Sequence, residues 1–162
     1  MSGGGGALWV AWIPEGIVAL RLPGAPSPDG VDEEPLPAAW HDLLLAYFAG
    51  DEDADPATLP FAGGGSRFQR RVWRSLRAVP KGGLVTYGEV ARACGVPGAA
   101  RAVGRAAASN PATLVVPCHR LVAEGGRLGG FSAGLAWKRR LLQLEGIRVD
   151  GDLVLPGQLD LW

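Results

Sequence analysis

At 162 residues, 48% of them hydrophobic, the chain is long enough to bury one shared core or two small ones. Two cysteines cannot build a disulfide framework, no apolar run approaches the ~20 residues that span a bilayer, and Met1-Ser2-Gly3 opens without the basic region of a secretory signal. A formal charge of zero excludes little until it is divided: residues 1–65 hold one arginine against ten acids, residues 66–120 ten Lys or Arg against Glu89 alone. Two readings of that division stay open, a polyanion partner with nucleic acid foremost, or attraction between the two halves. A reducing cytoplasm, where a free thiol persists, is the expected setting.

Alternation in ALWVAWIPEGIVALRLP (7–23) predicts a hairpin turning at Pro14-Glu15-Gly16. Residues 23–35, rich in Pro, Gly, Ser and acid, read as a loop. Residues 36–50, LPAAWHDLLLAYFAG, have apolar residues at helical spacing and a closing glycine, so a helix is expected there, with His41 in a structural or solvated position. An acidic loop (51–60) and a Gly-rich joint (63–66) follow. The charge reverses sign at that joint, and the domain boundary is placed there: 1–65, 66–150, and a tail at 151–162 ending in Leu161-Trp162.

From Ser66, a fitting N-cap, SRFQRRVWRSLRAV puts Phe68, Val72, Trp73, Leu76 and Val79 on one helical face and arginines on the others; Pro80 to Gly83 end it. VTYGEVARACGVPGAARAVGRAAASNP then reads as helix-turn-helix. Thr86 caps a helix through Ala93, Gly95-Val96-Pro97 breaks it, and a second helix runs from Ala99 to about Ala108. A helix that reads bases in the major groove needs long polar side chains. This one is mostly alanine with Arg101 and Arg105 projecting, which fits close approach to a minor groove with little sequence reading. Alanine chosen for helix formation and tight packing is the other reading. Cys94 in the turn is expected to be a buried small hydrophobe.

Chemistry concentrates at Pro117-Cys118-His119-Arg120, between an apolar run and the glycines Gly125, Gly126, Gly129, Gly130 and Gly134. The thiolate is the nucleophilic form of cysteine, and a nearby imidazole favours it. Neighbours in a strand point apart, so His119 needs a bend after Pro117 to serve Cys118, directly or through a water. Glu145 closes the helix WKRRLLQLEGI before the C-capping Gly146, against the preference of the helix dipole. Orienting a histidine would explain it, completing a Cys-His-Glu set. A thiol beside an imidazole is also often incidental, and at this point both readings stand.

FQRRVW, VTYGEVA, GVPGAARAVG, NP, VPCHR, GGFSAG and KRRLLQLEG together resemble the O6-alkylguanine-DNA alkyltransferases, the methylated-DNA–protein-cysteine methyltransferases, in order and spacing from Phe68 to Ile147. The resemblance implies an α/β (α+β) fold: a small ribonuclease-H-like N-terminal domain, then a mainly helical, winged-helix-like DNA-binding domain. It implies direct repair of O6-alkylguanine in double-stranded DNA, with O4-alkylthymine a further candidate. The alkyl group would pass once to Cys118 from a flipped base. It implies His119 as water-mediated base, Glu145 orienting it, Asn110 bracing the cysteine turn, and Tyr87 contacting the flipped base. Arg101 would fill the vacated stack, with Thr86, Ala100 and Arg105 also at the DNA. Leu121, Phe131 and Ser132 would form the base pocket.

Phe131 stands where many members have Tyr, so no hydroxyl is available there. No cofactor and no metal are expected, since only His41 precedes Cys94 among the usual soft ligands; a monomer acting without a membrane is. The competing readings are a non-catalytic alkyltransferase-like lesion binder, which would carry another residue at position 118, a helix-turn-helix regulator, and a thiol hydrolase.

Overall fold

The computed structural model describes residues 6–26, 28–29 and 33–155. The mixed α/β fold has, among these, five α-helices and three two-stranded sheets. Strands β1 (Trp9–Ile13) and β2 (Gly16–Arg21) form the expected antiparallel hairpin, with a register shift between Ala11 and Trp12. Helix α1 (Ala38–Phe48) buries Leu44 and Tyr47, one turn apart. Helix α2 (Arg67–Arg77) begins at a capping box in which Ser66 and Gln69 exchange side-chain to backbone hydrogen bonds. It buries Val72, Trp73 and Leu76 and ends at Arg77, just before the Pro80 to Gly83 stop.

Thr86 and Glu89 make a second capping box at the start of α3 (Tyr87–Ala93), and α4 (Ala100–Ala108) follows the Gly95–Gly98 turn. These two helices pack on each other and on α2. Helix α5 (Leu135–Leu144) precedes the hairpin of β5 (Val149–Asp150) and β6 (Leu153–Val154). The segment expected as a tail is thus folded at least through Val154, which is buried; Leu161 and Trp162 lie outside the described residues.

The Gly-rich joint is not a seam in the packing. Ile17, Leu20, Leu44 and Tyr47 share one buried cluster with Ala112, Leu114, Val115 and Leu141. The backbone of Leu20 also bonds Pro111 and Thr113 on either side of Ala112. Of the three buried clusters, this one crosses the charge reversal and ties the two halves together.

Electrostatics between the halves is local. Arg120 pairs with Asp55, and Lys81 Nζ donates to the carbonyls of Asp51 and Ala54. Arg101 and Arg105 are exposed and make no ion pair among the described residues.

Candidate active site

A two-residue parallel ladder assembles the site. Strand β3 (Val85–Thr86) pairs with β4 (Leu121–Val122), Thr86 opposite Val122. The residue after β3 is Tyr87, at the first turn of α3; the residues before β4 are a 3-10 turn of Cys118, His119 and Arg120. Pairing the strands therefore sets the phenol and the thiol at one place, although 31 positions separate them in the chain. Pro117 precedes this turn, so Cys118 and His119 lie on a bend and not in a strand.

Cys118 is 5% exposed and lines a cavity of about 260 Å³ with Tyr87, Gly104, Ala107, Ala108, Leu121, Gly130, Phe131 and Ser132. Drug-sized ligands occupy roughly 300–1,000 Å³, so this space suits one flat heterocycle. Gly104 and Ala108 lie on the stripe of α4 that also carries exposed Arg101 and Arg105, at spacings of three and four. The cavity thus borders the basic helix. Gly129 is required by close approach: at φ +70°, a Cβ there would lie 2.6 Å from the Tyr87 hydroxyl oxygen.

Asn110 braces the cysteine turn. Its Nδ2 donates to the Val116 carbonyl at 2.8 Å and to Cys118 Sγ at 3.1 Å, while its Oδ1 accepts from the Ala112 amide at 2.9 Å. Between these anchors Leu114 sits buried at φ +78°, a conformation costly for a side chain with a γ-branch and held here by the surrounding bonds. Burial pushes the Cys118 thiol up; the Asn110 bond and the Lys138 charge work in the opposite direction. Burial likewise raises Tyr87, opposed by a backbone hydrogen bond from Gly130.

Lys138 was not anticipated from the sequence. It is fully buried, and its Nζ donates to the carbonyls of Leu121 (2.6 Å), Leu128 and Gly130 (3.1 Å), pinning the cavity wall. Desolvation brings its pKa down to about 8, with the Cys118 charge acting against the drop. The signal was present: Lys138, Leu141, Leu142 and Glu145 fall at helical spacing on one face, so a lysine and a glutamate occupy an otherwise apolar stripe.

His119 is 1% exposed, and its Nε2 meets Glu145 Oε2 at 2.6 Å. A carboxylate accepts, so this nitrogen carries the hydrogen, and in the neutral ring Nδ1 then presents a lone pair. That Nδ1 is buried without a partner among the described residues. Glu145 caps α5, and its carboxylate is also gripped by Arg120 (Nε to Oε1 at 2.8 Å, Nη2 to Oε2 at 3.1 Å) and by the Tyr47 hydroxyl (2.6 Å to Oε2). Burial alone would raise its pKa; His119 and the Arg120 guanidinium hold it far below the usual carboxylate range. These bonds offset the unfavourable helix dipole.

The sequence-predicted residues separate into groups. Cys118, Tyr87, Leu121, Phe131 and Ser132 surround the cavity, Asn110 touches the thiol, and His119 with Glu145 lies behind it. Arg101 and Arg105 project from the bordering helix, and Ala100 stands at its half-buried start. Thr86 caps α3 instead of pointing to solvent. Cys94 is buried away from the cavity, and His41 is exposed beside Asp42 at 3.5 Å. Among the described residues no three His, Cys, Asp or Glu side chains gather as a metal site, and no helix is long and apolar enough to cross a membrane.

A thiol in the wall of a small cavity beside a basic helix-turn-helix sets a candidate nucleophile next to a candidate nucleic-acid-binding surface. The profile of the 6-O-methylguanine DNA methyltransferase DNA-binding domain matches residues 67–147. The chain is 47% identical over 110 residues to a methylated-DNA–protein-cysteine methyltransferase of Shigella flexneri, covering 68% of this chain and 64% of that protein. It is 46% identical over 114 residues to the protein of the same name from Mycobacterium tuberculosis, covering 70% and 68%.

In structure it is similar to Mycobacterium tuberculosis OGT in complex with DNA, with a TM-score of 0.75, 38% identity and 85% of each chain covered. The crystal structure of M. tuberculosis O6-methylguanine methyltransferase gives 0.67 at 35% identity, covering 91% of this chain and 90% of that one. The chain belongs to the 6-O-methylguanine DNA methyltransferase family.

Proposed function

We propose that this protein repairs O6-alkylguanine in duplex DNA by moving the alkyl group irreversibly to Cys118, one group per molecule. The observation that carries this reading is the Cys118 sulfur in the wall of a purine-sized cavity bordered by α4. Alanines and Gly104 let α4 approach a minor groove, with Arg101 filling the space of the extruded base and Thr86, Ala100 and Arg105 at the backbone. Leu121, Phe131 and Ser132 enclose the base. O4-alkylthymine is a second candidate substrate.

His119 Nδ1 takes the thiol proton across one water, while Glu145 keeps the ring oriented. The sulfur lone pair forms the S–C bond as the C–O6 bond breaks, and its electron pair goes to guanine. Tyr87 lies where it can protonate the departing base and recover a proton from solvent. The product is a thioether, with no route back to thiolate, and the step requires no cofactor.

The organisation that goes with this function is a ribonuclease-H-like N-terminal domain to residue 65 and a winged-helix-like domain over 66–150, acting as a monomer in the cytoplasm. Supporting it are the α3–α4 helix pair, the first helix closed by a capping box, and the match over 67–147.

Incubation with duplex DNA carrying O6-methylguanine, read by intact-mass and peptide mass spectrometry, tests the proposal. One added methyl on Cys118 is expected, absent in Cys118→Ala while DNA binding persists. Several turnovers per molecule, or methyl on Cys94, would reject it.

A further inference from the structure

Tyr47 belongs to α1, in the acidic half of the chain, 98 positions from Glu145, yet its hydroxyl donates to Glu145 Oε2 at 2.6 Å. Its side chain is fully buried. Oε2 thereby receives three donors: Tyr47, His119 Nε2 at 2.6 Å and Arg120 Nη2 at 3.1 Å. Two come from the cysteine's own turn, and only the third reaches in from the other half of the molecule. We propose that Tyr47 is a positioning residue for alkyl transfer: its hydroxyl fixes the Glu145 carboxylate, and through it the aim of the His119 ring at Cys118. This inference rests on the function proposed above.

The need for an outside clamp follows from where Glu145 stands. It is the residue after the last turn of α5, and Gly146 at φ +87° turns the chain away behind it. Its side chain is therefore placed by its donors and not by helix packing. Arg120 has little freedom to compensate for a lost donor, because its Nη2 also meets Asp55 Oδ1 at 2.9 Å and its Nη1 meets the Val79 carbonyl at 2.8 Å. A phenol, unlike a second cation, adds a donor without adding charge to the relay. Burial, followed by the Glu145 charge and hydrogen bond, raises the Tyr47 pKa far above its ordinary value, so the hydroxyl remains a donor at every working pH.

The charged groups facing this assembly come from every element around it. Arg120 pairs with Glu145 and with Asp55, Lys81 Nζ lies 5.3 Å from the Tyr47 ring, and the Lys138 charge acts on the thiol. None of them replaces a neutral donor to Oε2. The acidic half thus does more than cover the basic one: α1 contributes one fixed end of the proton relay.

Tyr47→Phe in the full chain keeps the ring and removes only the hydroxyl. Two rates are read: single-turnover methyl transfer from duplex DNA, and the pH profile of Cys118 carboxamidomethylation by iodoacetamide without DNA. Both are expected to slow about tenfold at neutral pH, as for loss of one charge-assisted hydrogen bond, with the thiol midpoint moved upward. Leu44→Ala, on the same helix and in the same core, serves as the control for lost stability and is expected to leave that midpoint in place. Both variants are assayed below their melting temperatures.

In a Glu145→Gln background, Tyr47→Phe is expected to add little, because the two act through one carboxylate. An unchanged midpoint in Tyr47→Phe, a shift matched by Leu44→Ala, or full additivity with Glu145→Gln would each overturn the inference. Since iodoacetamide needs no guanine, the wild-type protein failing to accept methyl would reject the proposed function without touching this test.

Discussion

Cys94 and Cys118 are both buried, at 8% and 5% exposure, and burial raises both thiols. What separates them is the company each sulfur keeps. Near Cys94 the Arg71 guanidinium reaches the backbone carbonyl at 3.5 Å, no side-chain donor meets the sulfur among the described residues, and the sulfur does not line the Cys118 cavity. Near Cys118 an amide donor touches the sulfur, a buried lysine lies close, an unpartnered imidazole nitrogen sits in the same turn, and there is room for a substrate. Burial makes a thiol inert unless the protein returns, as fixed donors and charges, what water supplied.

The largest expected break in that contrast is Glu145→Gln. It leaves the shape of the site but removes the charge that pairs with Arg120, which has no exposure and then only Asp55. Breaking such a buried pair costs about 3–5 kcal/mol, visible in a urea melt. Losing the oriented imidazole is expected to slow transfer roughly 100-fold, toward the behaviour of Cys94.

The same variant sharpens the pH dependence. A carboxyl held below its unfolded value contributes stability that is fully present above about pH 4 and is lost as pH falls through the folded value. Wild type is therefore expected to lose stability on acidification from about pH 4 downward, and Glu145→Gln to lose less. Equal acid sensitivity in the two proteins would show that Glu145 is not the group involved.

A smaller effect tests Lys138. As pH rises past about 8, the pKa to which burial brings this lysine, its charge disappears and the thiolate loses support. The logarithm of the iodoacetamide rate at Cys118 should therefore flatten above that pH, while the slower rate at Cys94 keeps climbing. Peptide mass spectrometry reads both sites in one sample. Parallel profiles would mean that Lys138 only pins the loop carbonyls. Stability carries the matching sign: the folded lysine releases its proton before the unfolded one, at about 10.4, so stability rises between about pH 8 and 10.

Local signals explain what the sequence made legible. The hairpin turn, the Ser66 and Thr86 caps, the helix-turn-helix and the bend after Pro117 each depend on residues within a few positions of one another. The motifs VPCHR and NP set Cys118 and His119 in one turn and Asn110 within reach of it for the same reason. What escaped was non-local. Tyr47, Asp55 and Lys138 look like an ordinary core aromatic, a loop acid and a solvated helix residue. Their importance arises only when α1, the Asp55 turn and α5 converge on Glu145 and the 121–130 loop. At the joint at 63–66, composition marks a loop but does not reveal the packing that continues across it.

Phe131→Tyr is the mildest perturbation of the contrast. The ring packs against two of the three core clusters and is half-buried in the cavity wall, so the added hydroxyl has space on the open side. A tyrosine tip needs water or a donor nearby, and the cavity mouth supplies the former. The sulfur's own partners, Asn110 and Lys138, are untouched, so the iodoacetamide profile of Cys118 is expected to stay within about twofold of wild type. Transfer from alkylated duplex should change by a similar factor, in either direction, because the wall meets the base and not the thiol. A change of 100-fold in the DNA-free profile would mean that the wall controls the sulfur directly, and the distinction between a thiol tuned from behind and a base held in front would be lost.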